Sequence, residues 1–464
     1  MIRIAVVGHP NRGKSSLVSA LLHNNRIAIS PLSGTTLQAE TYQLNLDGHC
    51  YLELVDTPGF QRARQLLANL GQQPLPLSSR PVQLAQFLAS EQARLQFPDE
   101  CQLLAPIMQG AGILYVVDAD AEISDQDRAE MELLLWTGAP RMAVINPFAQ
   151  ARHQQQWQQL LAQHFGQVLL FNPMQAQLEK SLSLLQAMSY LQPDWQQPLQ
   201  RAQQALRSMR ASQWRQSALR IAQLLQAMLS LRLQRAQQPN EAELQAWQER
   251  YGQELQALEA KARHDIEQLW HFDRLERQEL PLLLQPESLF SNENWQLFGL
   301  TAKQLTLASA SAGAMGGAAL DLATAGHSLL LGSIVGGGMG ALGGWWSGKK
   351  LAKLRLGLVS LGNSQWQIGP IKDPNFGFVV LGRALAHLRL LSQRSHARRD
   401  ALSINASWQQ QSIRQQGQWL YWFSQLRKGK QPEAMLSALE AELVSWQALQ
   451  SAPQDSQGSG SADN

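Results

Sequence analysis

Residues 8–15 read Gly8-His9-Pro10-Asn11-Arg12-Gly13-Lys14-Ser15, a G-x-x-x-x-G-K-S string that narrows the fold more than any other part of the chain. The run before it, Ile2-Arg3-Ile4-Ala5-Val6-Val7, is short and β-branched. The run after it, Ser16-Leu17-Val18-Ser19-Ala20-Leu21-Leu22, reads as a helix. Strand, glycine loop and helix in that order make a phosphate-binding loop. The glycines let backbone N–H groups converge on phosphate oxygens, and the helix N-terminus adds partial positive charge. Lys14 is placed to reach the terminal phosphates, and the Ser15 hydroxyl to ligate magnesium.

A second motif follows at a suitable distance. His49-Cys50-Tyr51-Leu52-Glu53-Leu54-Val55 predicts a strand that runs into Asp56-Thr57-Pro58-Gly59. An aspartate at the end of such a strand holds magnesium through water, and the following Gly59 can present its N–H to the terminal phosphate. Residues Thr41 to Leu46 alternate and meet the second strand through Asp47-Gly48, a hairpin signal. Ahead of the hairpin, Ser33-Gly34-Thr35-Thr36 supplies hydroxyls on a loop that can close over magnesium.

Gly8 to Ser16, Gly34-Thr35-Thr36 and Asp56-Thr57-Pro58-Gly59 resemble the TrmE/Era/EngA branch of translation-factor-related bacterial GTPases over about residues 1–190. The resemblance implies a Ras-like α/β P-loop GTPase domain that binds GTP and Mg2+. It also implies nucleotide-binding roles for Gly8, Asn11, Arg12, Gly13, Lys14, Ser15, Ser16, Asp56, Gly59 and Asn146. Ser15, Thr36 and Asp56 are the implied magnesium set, and Lys14, Asn11 and Thr36 the implied catalytic set. The rest of the chain resembles an uncharacterised C-terminal domain that accompanies such GTPase domains in some proteobacteria.

The chain departs from this family at the base-reading motif. Family members read guanine with Asn-Lys-x-Asp after a strand. Here Met142-Ala143-Val144-Ile145 is followed by Asn146-Pro147-Phe148-Ala149, so the Lys and Asp positions hold Pro147 and Ala149. Loss of a bidentate carboxylate contact weakens guanine discrimination by a few kcal/mol. GTP therefore rests on the resemblance, and nucleotide binding on the loop itself. Phe60 stands where Ras-type enzymes place a water-orienting glutamine. Some members of the resembling family use a potassium ion bound by a phosphate-loop asparagine, and Asn11 holds that position. Turn chemistry alone accounts for an asparagine there equally well.

At 464 residues the chain is long enough for two or three domains. A net charge of +3 argues neither for nor against nucleic acid. Two cysteines, Cys50 and Cys101, cannot build a disulfide framework, which fits a reducing cytoplasm. The first predicted strand begins at residue 2, so no leader segment is expected.

Beyond residue 190 the pattern changes to long helices rich in Gln, Leu and Arg. Leu199, Ala202, Leu206, Met209, Ala218, Ile221, Leu225 and Met228 keep helical spacing. After the break at Gln237-Gln238-Pro239, Asn240 and Glu243 read as a capping box, and Leu244, Trp247, Tyr251, Leu255, Leu258, Ala262, Ile266 and Leu269 resume the spacing. The expectation for 191–300 is a long helical hairpin, either bundle core or stalk. His264 and His271 have poor metal-ligand spacing and read as solvated faces.

From Gln304 to Gly348 the only formal charge is Asp321. Gly332, Gly336, Gly340 and Gly344 recur every fourth residue, with Gly313 and Gly317 repeating the step earlier. That period puts small residues on one helix face, a glycine-zipper pattern, and each arm has bilayer length. Lys303 before and Lys349, Lys350, Lys353 and Arg355 after suit a hairpin whose ends both face the cytoplasm. A soluble packed hairpin is nearly as well supported, because Asp321 is costly in lipid. In 351–450, Gln365-Trp366-Gln367-Ile368 suggests a strand closed by Gly369-Pro370. Phe378 to Arg394 suggests a helix whose Arg383, Arg389 and Arg394 form a solvated or lipid-facing side. Two more helices are expected near Trp408–Arg427 and Pro432–Leu449, and a disordered tail over 451–464.

The sequence thus predicts a P-loop α/β domain over 1–190 followed by a mainly helical half, with the apolar hairpin at 301–350. The expected activity is magnesium-dependent GTP hydrolysis coupled to change in the helical part. The inner membrane, through 304–348, and a second copy of the chain are carried as partners. Two alternatives are a soluble ribosome- or RNA-associated GTPase and a degenerate nucleotide-binding scaffold. No KH, OB or dense basic signature favours nucleic acid.

Overall fold

The computed structural model describes residues 1–22, 39–46, 48–71, 76–147, 150–175, 178–272, 284, 288–316, 359–360, 366–393, 413–430 and 433–451. Two compact units emerge, one built on Met1–Ala211 and one on Ser212–Ser392 with the last two helices. The loop Ser33–Thr36, residues Phe148 and Ala149, and the predicted zipper beyond Gly316 lie outside the described residues.

The first unit is an α/β domain. It opens with β1 (Ile2–Val7), α1 (Lys14–Leu22), β2 (Glu40–Leu46) and β3 (His49–Asp56). Four helices follow: α2 (Ala63–Leu70), α3 (Arg80–Ala89), α4 (Glu91–Gln96) and α5 (Pro98–Met108). Next come β4 (Gly112–Asp118), α6 (Asp125–Trp136), β5 (Arg141–Asn146), α7 (Gln154–His164), β6 (Val168–Leu170) and α8 (Leu178–Ser189). The sheet order is β2-β3-β1-β4-β5-β6, with β2 antiparallel to β3 and every other pairing parallel.

Strand alternation explains the two-sided core. In β1, Ile2, Ile4 and Val6 point to one face and Ala5 and Val7 to the other, as a period of two requires. The first face is covered by Leu17 and Leu21 of α1, Leu184 and Met188 of α8, and Leu199, Ala202 and Leu206 of α9 (Pro193–Ser230). Leu66, Leu103, Leu104, Leu134 and Leu161 cover the second. Parallel strands buried on both faces read as near-continuous apolar runs, as Ile113-Leu114-Tyr115-Val116-Val117 does.

The long helix α9 does not belong wholly to the helical half. Its residues through Ala211 fall in the first unit, and those from Ser212 in the second. The second unit continues with β7 (Leu233–Arg235), α10 (Glu241–Leu269), α11 (Asn292–Phe298), α12 (Ala302–Gly316), β8 (Val359–Ser360) and β9 (Trp366–Ile368). It ends with α13 (Asn375–Gln393), α14 (Ile413–Arg427) and α15 (Glu433–Ser451). The Asn240 side chain accepts from the Glu243 N–H, and Glu243 reciprocates, closing the capping box of α10. The strand expected at Gln365–Ile368 forms as β9 and pairs antiparallel with both β7 and β8, two strands that helical periodicity gave no reason to expect.

Two expectations change in this unit. Arg383 does not line a solvated or lipid-facing side: it is fully buried on α13. Its guanidinium donates Nε to Glu259 Oε1 (2.7 Å) and Nη2 to Glu259 Oε2 (3.0 Å), while Arg263 Nη2 donates to the same Oε1 at 2.6 Å. Burial alone would raise the Glu259 carboxyl, but the two guanidiniums overcome it and hold its pKa below the usual value. The start of the predicted apolar hairpin differs as well. Leu305, Ala308 and Ala312 of α12 are buried in the protein core, where α12 packs along α14 and Ser311 closes on Gly417. Ala308, Ser311 and Ala312 therefore serve helix–helix contact within the unit. No helix among the described residues is long and apolar enough to cross a membrane.

Candidate functional site

The loop between β1 and α1 follows from local backbone chemistry. Gly8 sits at φ 140°, and a Cβ there would fall 2.4 Å from the Val116 carbonyl oxygen, so only glycine fits. Asn11 takes a left-handed φ of 62°, a conformation that asparagine tolerates better than most side chains. The Leu17 N–H donates to the Gly13 carbonyl at 2.9 Å, starting the helix. Lys14 is buried and folds back over the loop, its Nζ donating to the Gly8 carbonyl (3.3 Å) and the His9 carbonyl (3.2 Å). Burial pulls its pKa down, with the negative charges of Asp56 and Glu130 opposing.

The two motifs meet. Parallel pairing sets Val6 beside Asp56, and the Ser15 hydroxyl donates to Asp56 Oδ2 across 2.5 Å. The Thr57 hydroxyl donates to the Val6 carbonyl at 2.8 Å, tying the D-T-P-G turn to the strand that feeds the loop. Gly59 lies against the loop so tightly that a Cβ on it would stand 2.4 Å from Pro10 Cδ. Phe60 is fully buried with Leu66, Leu103 and Leu104, so its ring is a packing element.

The residues where the resemblance places base reading lie at the end of β5. Asn146, paired in register with Asp118 at the strand ends, is fully buried, and its Nδ2 donates to the Arg12 carbonyl at 3.2 Å. Asn146 thus braces the phosphate loop from the end of β5. Arg12 Nη1 lies 3.7 Å from Asp118 Oδ2. The Asn172 side-chain amide donates to the Pro147 carbonyl at 3.0 Å, joining the two loops that border this side. Ser16 is buried in the first turn of α1. Thr36 lies outside the described residues.

Two acids near the loop were not singled out by sequence. Glu130 on α6 reads as an ordinary helix acid, yet it is fully buried. It accepts from the Tyr115 hydroxyl at 3.0 Å and meets His9 Nδ1 at 3.2 Å. Burial raises its pKa, and the contact with His9 opposes the rise. Glu100 on α5 accepts the N–H groups of Gln61 (2.9 Å) and Arg62 (2.5 Å) through one oxygen. Pro98-Asp99-Glu100, a proline with two acids, does mark a helix start in sequence. Nothing local ties that start to residues 61 and 62. Among the described residues, no group of three or more His, Cys, Asp or Glu is arranged to hold a metal by itself.

Comparison with known proteins fits this geometry. Residues 3–147 match the family described as 50S ribosome-binding GTPase. Residues 158–449, more than half of the chain, match the family described as domain of unknown function DUF3482. The chain belongs to the DUF3482 family. Its DUF3482 region is helical, and it follows an N-terminal P-loop GTPase domain. That domain is 34% identical to GTPase Der of Akkermansia muciniphila over 149 residues, 32% of this chain and 26% of that one. It is 30% identical to GTPase Der of Pseudothermotoga lettingae over 146 residues, 32% and 28% of the two chains. The tRNA modification GTPase MnmE of Malacoplasma penetrans is 31% identical over 94 residues, 20% and 21%. The match thus spans under a third of each of these relatives.

Proposed function

We propose that this DUF3482 protein binds and hydrolyses GTP with magnesium, and that its phosphate loop, Ser15 and Asp56 are the working site. The observation that carries this reading is the 2.5 Å Ser15–Asp56 contact. It brings a hydroxyl and a carboxylate, both hard oxygen donors of the kind magnesium selects, to one point beside a glycine loop with a buried lysine. Ser15 and Asp56 would hold the ion, with Thr36 from the loop ahead of β2. When bound, magnesium neutralises charge on the phosphate oxygens.

The chain's own groups supply the rest. Lys14 places an ammonium beside the phosphate path, and its reduced solvation strengthens that charge's hold on an anion. Gly13 and Arg12 offer backbone N–H groups, and Gly59 can turn its N–H toward a terminal phosphate because it packs on Pro10. With Phe60 buried, charge compensation falls to the loop, and Asn11, exposed at its tip, is the residue we assign to a potassium ion.

Base selection is expected to be loose. Asn146 is engaged with Arg12, and the sequence has Pro147 and Ala149 in place of the family's Lys and Asp. Equilibrium binding and single-turnover hydrolysis of GTP and ATP on the full chain test the proposal. Magnesium-dependent GTP turnover, with GTP preferred over ATP by about 10-fold instead of the ~10⁴-fold of a site that pairs every base edge, is expected. Failure to bind either nucleotide with magnesium present would overturn it. Tight binding without turnover would turn the reading to a scaffold.

A further inference from the structure

The helices α3, α4 and α5 lie between the D-T-P-G turn and β4, and one side chain from this insertion reaches back to the turn. Glu100, in the first turn of α5 and 1% exposed, takes the N–H groups of Gln61 and Arg62 on a single oxygen. Arg62 returns the contact, donating Nη1 to the Gln96 carbonyl of α4 at 2.9 Å. The N–H groups that lead into α2 have no acceptor on that helix's own N-cap, so a residue 38 positions further on satisfies them.

We propose that Glu100 is a positioning residue for nucleotide hydrolysis: it sets the backbone of Gly59 against the phosphate loop and couples that setting to α4 and α5. The inference rests on the GTPase reading above. The segment Gly59–Arg62 is pinned at two points, by Pro10 of the phosphate loop at one end and by Glu100 at the other, with the Phe60 ring buried between them. No side chain at position 60 is free to orient a water molecule, so the placement of this short backbone must do that work through its own N–H groups. Bonds from N–H to an ionised carboxylate are short and strong, which suits holding a backbone in one place. The other oxygen, Oε2, is buried with no hydrogen-bond partner among the described residues.

Glu100→Ala and the milder Glu100→Gln, which keeps an acceptor but not the charge, test this beside Leu104→Ala, a packing change on the same helix. The readouts are kcat, KM, GDP affinity and the affinity ratio of a non-hydrolysable GTP analogue to GDP. Glu100→Ala is expected to lower kcat about 10–100-fold and to reduce the analogue-to-GDP ratio, with GDP affinity held within about twofold. Glu100→Gln should fall between it and wild type. Leu104→Ala should lower the melting temperature without that split. Wild-type kcat and ratio in both Glu100 variants, or GDP affinity falling in step with kcat, would overturn the inference. The same split in Leu104→Ala would overturn it too, by making Glu100 one packing residue among others. A wild-type chain that neither binds nor turns over GTP would overturn the GTPase reading and this inference with it, whereas a defect confined to the variants isolates Glu100.

Discussion

The Ser15 hydroxyl and Asp56 Oδ2 lie 2.5 Å apart although 41 residues separate them in sequence. Parallel pairing of β1 with β3 brings them together, because it brings the ends of two strands to one edge of the sheet. Ligand sites of open α/β sheets form at the carboxyl ends of strands. Here the same edge collects Lys14, Asp56, Asp118 and Asn146.

Replacement of Lys14 by Ala should lower nucleotide affinity by about 100-fold or more, since it removes a charged contact to phosphate from a desolvated position. Ser15→Ala should instead lose the magnesium dependence of binding. Both chains should melt within a few degrees of wild type, because Lys14 donates to the Gly8 and His9 carbonyls at the loop's own rim. Calorimetric titration with GDP and GTP, with and without magnesium, measures each effect. Wild-type affinity in both variants would move the site elsewhere.

Hydrolysis should run at least about 10-fold faster in potassium than in sodium at matched ionic strength, and Asn11→Ala should erase the difference. The basis is Asn11, exposed at left-handed φ in the loop, together with a Phe60 ring that is buried instead of facing water. A single cation held against the phosphates substitutes for part of the charge that an arginine finger supplies elsewhere. Equal rates in the two salts would leave Asn11 as turn chemistry alone.

The first unit was readable because its signals are local. Gly8 to Ser15 is contiguous, β2 and β3 pair as neighbours in sequence, and apolar runs mark the buried strands. Glu100 and Glu130 were not readable, since an acid on a helix looks solvated until the fold buries it. The same holds for Arg383, whose partner Glu259 is 124 residues away. Strand β7, Leu-Gln-Arg, has no β-signature of its own and exists by pairing with Trp366–Ile368, more than 130 residues on. The apolar character of residues 305–312 was visible in sequence, but their partner, α14, was not.

Arg383→Met should destabilise the second unit by about 3–5 kcal/mol, because it leaves Glu259 buried with Arg263 alone. Arg383→Lys should not rescue it, since an ammonium cannot reproduce the two-pronged contact with Oε1 and Oε2. Adding Glu259→Gln to Arg383→Met should not recover the loss but deepen it, because it takes the carboxylate from the buried Arg263 guanidinium as well. Urea unfolding followed by tryptophan fluorescence and far-UV circular dichroism measures this; in the second unit Trp214 and Trp270 meet edge-to-face at 5.0 Å. Equal stability of Arg383→Met and wild type would show that the ion cluster contributes nothing net.

His387 gives the second unit a defined acid sensitivity. The ring is fully buried on α13, with Nε2 2.9 Å from Glu267 Oε1. Burial lowers its pKa; the Glu267 contact and charge oppose this, Arg263 adds to the lowering, and Glu259 opposes it. Between the lowered value and the ordinary one near 6.5, the unfolded chain binds the proton and the folded chain does not. Stability therefore rises with pH through that window, is fully present above about 6.5, and is lost as pH falls below it. His387→Gln removes the titration while keeping a polar group of similar reach. Unfolding midpoints measured from about pH 7.5 down to about pH 5 should fall more steeply for wild type than for His387→Gln. Parallel slopes in the two proteins would mean that other groups set the acid sensitivity.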